Sequence, residues 1–219
     1  MNGRHTTTRA VLTAAAALST ALLAACNLQV QLDQPTPSQA PAASLQNLKV
    51  APESHQGGYK REAFGQSWKD VDRNGCGQRD DVLARDLKGV ERRGRCVVVA
   101  GVLVDPYTGE QVRFAKARAD EVQIDHRVAL AEAWRSGAWM WTPAQREGFA
   151  NDLANLAASK GSVNQGKGDD DAAKWLPVGP SRQCVYARNV VAVKSKYQLT
   201  VDSAEATALR RALALCPKP

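Results

Sequence analysis

The chain is poor in aromatic residues, in histidine and in long apolar runs. Aromatic side chains make up 5% of its 219 residues, with three phenylalanines, and no base-stacking platform stands out. Trp134, Trp139, Trp141 and Trp175 have spacings that fit core positions better than a stacking surface. Histidine occurs only at His5, His55 and His126, so a histidine general base has few candidates. No C-x-x-C pair is present, which removes the usual signal for a zinc knuckle or a dithiol redox site. No internal repeat is found. The apolar run Ala10 to Ala25 is too short to span a bilayer.

What is present begins with an address. Arg4 and Arg9 precede that apolar, small-residue run, and Cys26 follows it at once, the pattern of an export signal over residues 1–25. Leu23-Ala24-Ala25-Cys26 resembles the lipobox of bacterial lipoproteins, in which the signal is cut before the cysteine and the thiol carries a diacylglycerol. That resemblance implies an anchor at the outer face of the cytoplasmic membrane or in the cell envelope. An ordinary cleaved signal is the alternative. From Leu28 to about Pro52 the chain is rich in Gln, Pro, Ala and Ser without helical or strand period, so residues 26–58 read as an extended tether. Residues 59–219 are then long enough for one folded domain. Formal net charge is +7, and loss of residues 1–25 removes two arginines and no acid, so the remainder stays basic and suits anionic partners.

Cys76, Cys96, Cys184 and Cys216 form an even set in an exported chain, which suggests two disulfides. Three pairings are possible. Cys76 with Cys96 and Cys184 with Cys216 is favoured, because each pair brackets a local unit.

Asp80 to Leu87 has apolar residues at helical spacing behind acids and predicts a helix entered from the Asn74-Gly75 turn. Cys96 to Val104 reads as a buried strand, with Gln111 to Phe114 returning as a hairpin. Glu121 to Asp125 predicts a strand and Val128 to Trp134 a helix. Thr142-Pro143 marks an N-cap and first helical residue for a helix to about Leu153. An extended Asn155 to Ala158, a break at Gly161, and a helix from about Asn164 towards Trp175 follow. Two amphipathic helices, Cys184 to Tyr197 and Ser203 to Leu215, close the domain, the last capped by Ser203.

With His5 in the signal and His55 in the tether, a histidine base must be His126. Asp125 beside it offers a hard oxygen ligand, although neighbouring strand residues face opposite ways. Both serve one site only if the strand ends or twists there. Asn155 and Asn164 add amide groups able to ligate a metal or pin a loop, and Lys160 and Lys167 could neutralise phosphate. Taken singly each has a bland reading: a structural histidine, turn asparagines, solvated lysines.

The ordered set Asp125-His126, Asn155-Leu156 and Asn164-Gln165-Gly166-Lys167 resembles the HNH, or ββα-metal, nucleases. With Asn74-Gly75-Cys76, Asp105-Pro106-Tyr107-Thr108-Gly109, Trp175-Leu176-Pro177 and Cys184-Val185-Tyr186, it is similar to exported bacterial HNH proteins related to the C-terminal domain of GmrSD restriction endonucleases. The resemblance implies an α+β fold: a ββα-metal core, about residues 120–177, in a mostly helical, disulfide-stabilised domain with a small β-hairpin. It implies metal-dependent hydrolysis of nucleic acid, DNA before RNA, with no protein partner inferred. His126 would be the general base, Asp125 and Asn164 the ligands of one Mg²⁺ or Mn²⁺, and Asn155 the residue ordering the loop that holds His126. Lys167 would contact phosphate, with Lys160 nearby as a second candidate and Arg127 either adding a contact or lying outside the site. Arg127 departs from the family's usual apolar residue after Asp-His. The rival reading is a non-catalytic envelope lipoprotein binding nucleic acid or an anionic wall polymer through its basic surface.

Overall fold

The computed structural model describes residues 45–217; the signal segment, Cys26 and the tether up to residue 44 lie outside the described residues. The architecture is mixed α and β, with two small antiparallel sheets and six α-helices among the described residues.

The first half is built on the β-branched run. Helix α1 (Gln78–Asp86) carries Asp80 and Asp81 in its first turn and buries Val82 and Leu83. Strands β1 (Leu87–Arg93), β2 (Val97–Val104) and β3 (Gln111–Ala115) form an antiparallel sheet in that order. The expected β2–β3 hairpin is present, with Leu103 opposite Val112 and Val102 opposite Arg113. Strand β1 has no apolar alternation to announce it. It is a polar edge strand that exists because β2 offers a backbone ladder, and its register slips between Lys88 and Arg92. Leu83, Val98, Leu103 and Phe114 pack with Ile124 and Leu156 of the second sheet into one apolar cluster.

That second sheet pairs β4 (Val122–His126) with β5 (Leu156–Lys160), Asp125 lying opposite Ala157 and His126 opposite Leu156. Between them come α2 (Leu130–Arg135) and α3 (Pro143–Ala150). Thr142 caps α3 in a capping box with Gln145, as the Thr-Pro pair leads one to expect. The helix stops at Ala150 rather than Leu153, because the Asn151 amide donates to the carbonyls of Glu147 and Gln66 and turns the chain.

Helix α4 (Gly161–Lys167) follows β5 directly. It begins at the expected breaker and ends well before Trp175. Gly161 is needed for close approach: a Cβ there would lie 2.1 Å from the Asp120 carbonyl oxygen. At the other end Gly168 takes a φ of +56°, and the Asp171 carboxylate then accepts from the amides of Ala173 and Lys174.

The last helices, α5 (Pro180–Tyr197) and α6 (Ser203–Leu213), pack Tyr186, Val190, Val191 and Leu209 against Phe64, Leu130 and Phe149 in the second core. The cap of α6 is Asp202, not Ser203; its carboxylate accepts from the Glu205 amide at 2.7 Å. Disulfides join Cys76 to Cys96 and Cys184 to Cys216, the pairing favoured from the sequence.

The packed chain begins ahead of the Tyr59 expected. Leu48 is buried in the helical core, Val50 bridges Val201, and the Ser54 amide donates to the Arg135 carbonyl at 3.0 Å. His55 is no tether residue either, since its ring stacks on Trp139 at 3.6 Å. Backbone pairing to Val201 and single side-chain anchors need no periodicity, which is why this stretch reads as featureless.

Candidate functional site

Strand β4 ends at His126, and there the alternation of a strand stops governing where side chains point. Asp125 and His126 therefore both line one open cavity of about 470 Å³, together with Gln123 and Asn164. Gln123 reaches it from the same strand, two positions before Asp125, and accepts from the Asn164 amide nitrogen at 2.9 Å. That bond engages the Asn164 side-chain nitrogen, and no described residue bonds its Oδ1. Gln123 was missed in the sequence, although its i, i+2 relation to Asp125 signals a shared strand face.

The His126 ring is held from two sides. Its Nε2 lies 2.8 Å from the Ala150 carbonyl oxygen at the end of α3. A carbonyl only accepts, so Nε2 carries the proton and Nδ1 keeps its lone pair. No described residue bonds Nδ1. Trp68 lies parallel to the imidazole with ring centroids 6.1 Å apart. Burial pushes the His126 pKa down to about 4; Ala150 and Asp125 act in the opposite sense, and the charges of Arg61 and Lys167 add to the lowering. At neutral pH the ring is uncharged and able to take a proton.

Asn155 stands behind the loop that follows. Fully buried, it accepts from the Val128 amide at 2.9 Å and donates to the Val128 carbonyl at 3.2 Å, while its own carbonyl accepts from the Arg127 amide at 2.8 Å. Three bonds fix the backbone leaving His126.

Asp125 is also buried. Lys167 Nζ donates to its Oδ1 at 3.0 Å and to the His126 carbonyl at 2.8 Å, and the Tyr107 hydroxyl donates to Oδ2. Burial and the Asp125 charge hold the Tyr107 hydroxyl well above its usual pKa, so it stays a donor. Tyr107 is placed by the β2–β3 turn. Asp105 accepts from the amides of Tyr107 and Thr108 and, through its other oxygen, from Lys160 N at 2.6 Å and the Ser159 hydroxyl. The turn is thereby tied to β5.

The three expected phosphate contacts stand outside the cavity lining. Lys167 is 1% exposed, with its ammonium spent on Asp125 and a carbonyl, because the last turn of α4 faces the strand pair. Arg127 turns away from the cavity and donates to the carbonyls of Ala154 and Leu156. Lys160 pairs with Glu110 at 2.5 Å at the far end of β5, beside a different depression. Among the described residues the cation that lines the cavity without a carboxylate partner is Arg61, from the 3₁₀ turn Arg61–Phe64, and beside it lies Tyr59. No motif in the sequence points to either.

Residues 77–212 match the family described as GmrSD restriction endonucleases, C-terminal domain. An uncharacterized secreted protein of Arthroderma benhamiae (strain ATCC MYA-4681 / CBS 112371) is 41% identical over 189 residues, which cover 83% of this chain and 90% of that protein. No solved structure matches. That relative is fungal, so the likeness itself carries no assignment to bacteria. A secreted relative and two disulfides are both consistent with export of this chain. The matched residues span the sheets, the cavity's strand pair and α4, and the chain belongs to the family of GmrSD restriction endonuclease C-terminal domains.

Proposed function

We propose that this chain is an exported, metal-dependent HNH endonuclease that hydrolyses phosphodiester bonds of nucleic acid, DNA before RNA, with His126 as general base. One observation carries the reading: Nε2 of His126 is committed to the Ala150 carbonyl, which leaves an unprotonated Nδ1 on a ring that lines the same cavity as Asp125 and Asn164. In this reading β4, β5 and α4 form the ββα-metal core, two antiparallel strands followed by a short helix.

The donor set fits a hard divalent cation such as Mg²⁺ or Mn²⁺. Asp125 and Asn164 offer oxygen, and each Asp125 oxygen accepts only one hydrogen bond and keeps a further lone pair. Among the described residues no group of three or more His, Cys, Asp or Glu side chains gathers around one point, so most of the shell would come from water and phosphate, which Mg²⁺ tolerates. When bound, the ion would supply Lewis-acid stabilisation of charge on the phosphate and the leaving oxygen. The protein's own work is separable from that. His126 Nδ1 takes the proton of the attacking water, Asn155 keeps the loop behind the ring in place, and Lys167 with Tyr107 fixes the Asp125 carboxylate.

The finer points of location belong to the same proposal: cleavage before Cys26, lipidation of its thiol, and anchorage outside the cytoplasmic membrane. The decisive test is plasmid nicking by the mature protein with Mg²⁺, with Mn²⁺ and with EDTA, beside His126→Ala. Metal-dependent cleavage that falls by about 10²- to 10⁴-fold in a folded His126→Ala protein is expected. An equal rate in that variant, or no cleavage of DNA or RNA by folded, disulfide-intact protein, would sink the reading.

A further inference from the structure

Residues 53–69 precede the family-matched stretch, yet they are strapped across the cavity. The His55 carbonyl accepts from Trp134 Nε1, the Ala63 carbonyl from Arg146 Nε at 2.8 Å, and the Gln66 carbonyl from the Asn151 amide at 3.0 Å. Asn151 closes the strap by accepting from the Lys69 amide at 3.0 Å. Phe64 sinks into the helical core against Phe149. These anchors hold the Arg61–Phe64 turn at the mouth of the cavity, and Trp68 further along the strap covers the His126 ring.

Arg61 lines the 470 Å³ cavity and also a small depression that it shares with His126, Trp68 and Ala150. Its side chain is exposed, and no described carboxylate pairs with it. Of the cations around it, Lys167 is paired with Asp125, and Arg135 with Glu53 and Asp169. A guanidinium fixed on an anchored turn, unneutralised, beside a base and a carboxylate, matches the fork geometry of a phosphodiester's two nonbridging oxygens.

We propose that Arg61 contacts substrate: its guanidinium binds the nonbridging oxygens of the scissile phosphate in the His126 cavity. This rests on the nuclease reading for the word scissile, and on the cavity alone for the anion. Arg61 makes and breaks no bond; it holds the phosphate against the imidazole and offsets charge there.

The experiment uses the mature protein, its Arg61→Ala and Arg61→Lys variants, and His126→Ala as reference. Binding to a short fluorescein-labelled DNA duplex is read by anisotropy in EDTA, where turnover is absent, and nicking is read separately with Mg²⁺. Arg61→Ala should weaken binding about tenfold and flatten the salt dependence by about one contact, with an unchanged melting temperature. Arg61→Lys should recover the salt slope but only part of the affinity, because a point charge replaces a fork. His126→Ala should bind like wild type and fail to cleave. Arg61→Ala within twofold of wild type in both assays overturns the proposal, as does a loss explained by a lowered melting temperature. If wild type cleaves nothing, the nuclease reading falls on its own, and the binding arm still decides: a tenfold drop retains Arg61 as a phosphate contact, and no drop removes it.

Discussion

At Lys167 the ammonium meets a carboxylate and a carbonyl instead of solvent, and the consequence is energetic. Removing it would leave Asp125 buried with the Tyr107 hydroxyl as its remaining side-chain donor. Lys167→Met should therefore destabilise the fold by about 3 to 5 kcal/mol, the usual cost of stranding one partner of a buried pair. Urea unfolding would show this as a lower midpoint at unchanged slope, and a loss below about 1 kcal/mol would mean that water already reaches Asp125. The residue types at the site were legible because His126 has so few competitors and because Asp125, Asn155 and Asn164 fall in a recognisable order. The directions of side chains were not. Lys160, Lys167 and Arg127 carry the same charge in the sequence, and only the facing of β5, α4 and the loop after β4 separates a buried pair from two surface contacts. Arg61 lay in a stretch next to the expected tether, with no pattern around it.

Among the elements, α4 is the most constrained by its start. It carries both Asn164 and Lys167 within seven residues, and Gly161 lets its first turn touch the Asp120 carbonyl. Gly161→Ala would put a methyl carbon 2.1 Å from that backbone oxygen, far inside van der Waals contact, so the helix must move. A destabilisation of about 1 to 3 kcal/mol is expected, with a larger fractional loss of nicking than of stability, because a displaced α4 takes Asn164 with it. Thermal melting beside the nicking assay checks this, and wild-type behaviour in both would show that the close approach relaxes without cost. The sequence located helices well where an apolar stripe and a cap coincided, as at Thr142-Pro143 before α3. It failed where tertiary pairing decided the outcome. Strand β1 is recruited by β2, α4 starts on a glycine that would ordinarily break a helix, and the Val50 bridge to Val201 has no local signal.

On the scale of the whole molecule, the helical part is pinned by a buried ionic trio whose side chains lie outside the cavity lining. Lys194 of α5 lies 2.6 Å from Glu132 of α2 and 2.5 Å from Glu205 of α6, and all three side chains are almost wholly buried. One ammonium cannot neutralise two carboxylates. Burial, opposed by Lys194 and reinforced by the Glu132 charge, pushes the Glu205 pKa from 4.5 up to about 8. Between those two values the folded protein keeps a proton that the unfolded chain has released, so the folded state binds more protons and stability falls as pH rises towards about 8. Glu205→Gln removes the proton and keeps the shape. Urea midpoints measured from pH 5 to about 9 should decline in wild type and stay flatter in the variant, which should be the more stable of the two at the alkaline end. Nicking at neutral pH should be unaffected, because the trio shares no side chain with the His126 cavity. Parallel stability curves would mean that Glu205 is already ionised in the folded protein and that water, not Lys194 alone, compensates its charge.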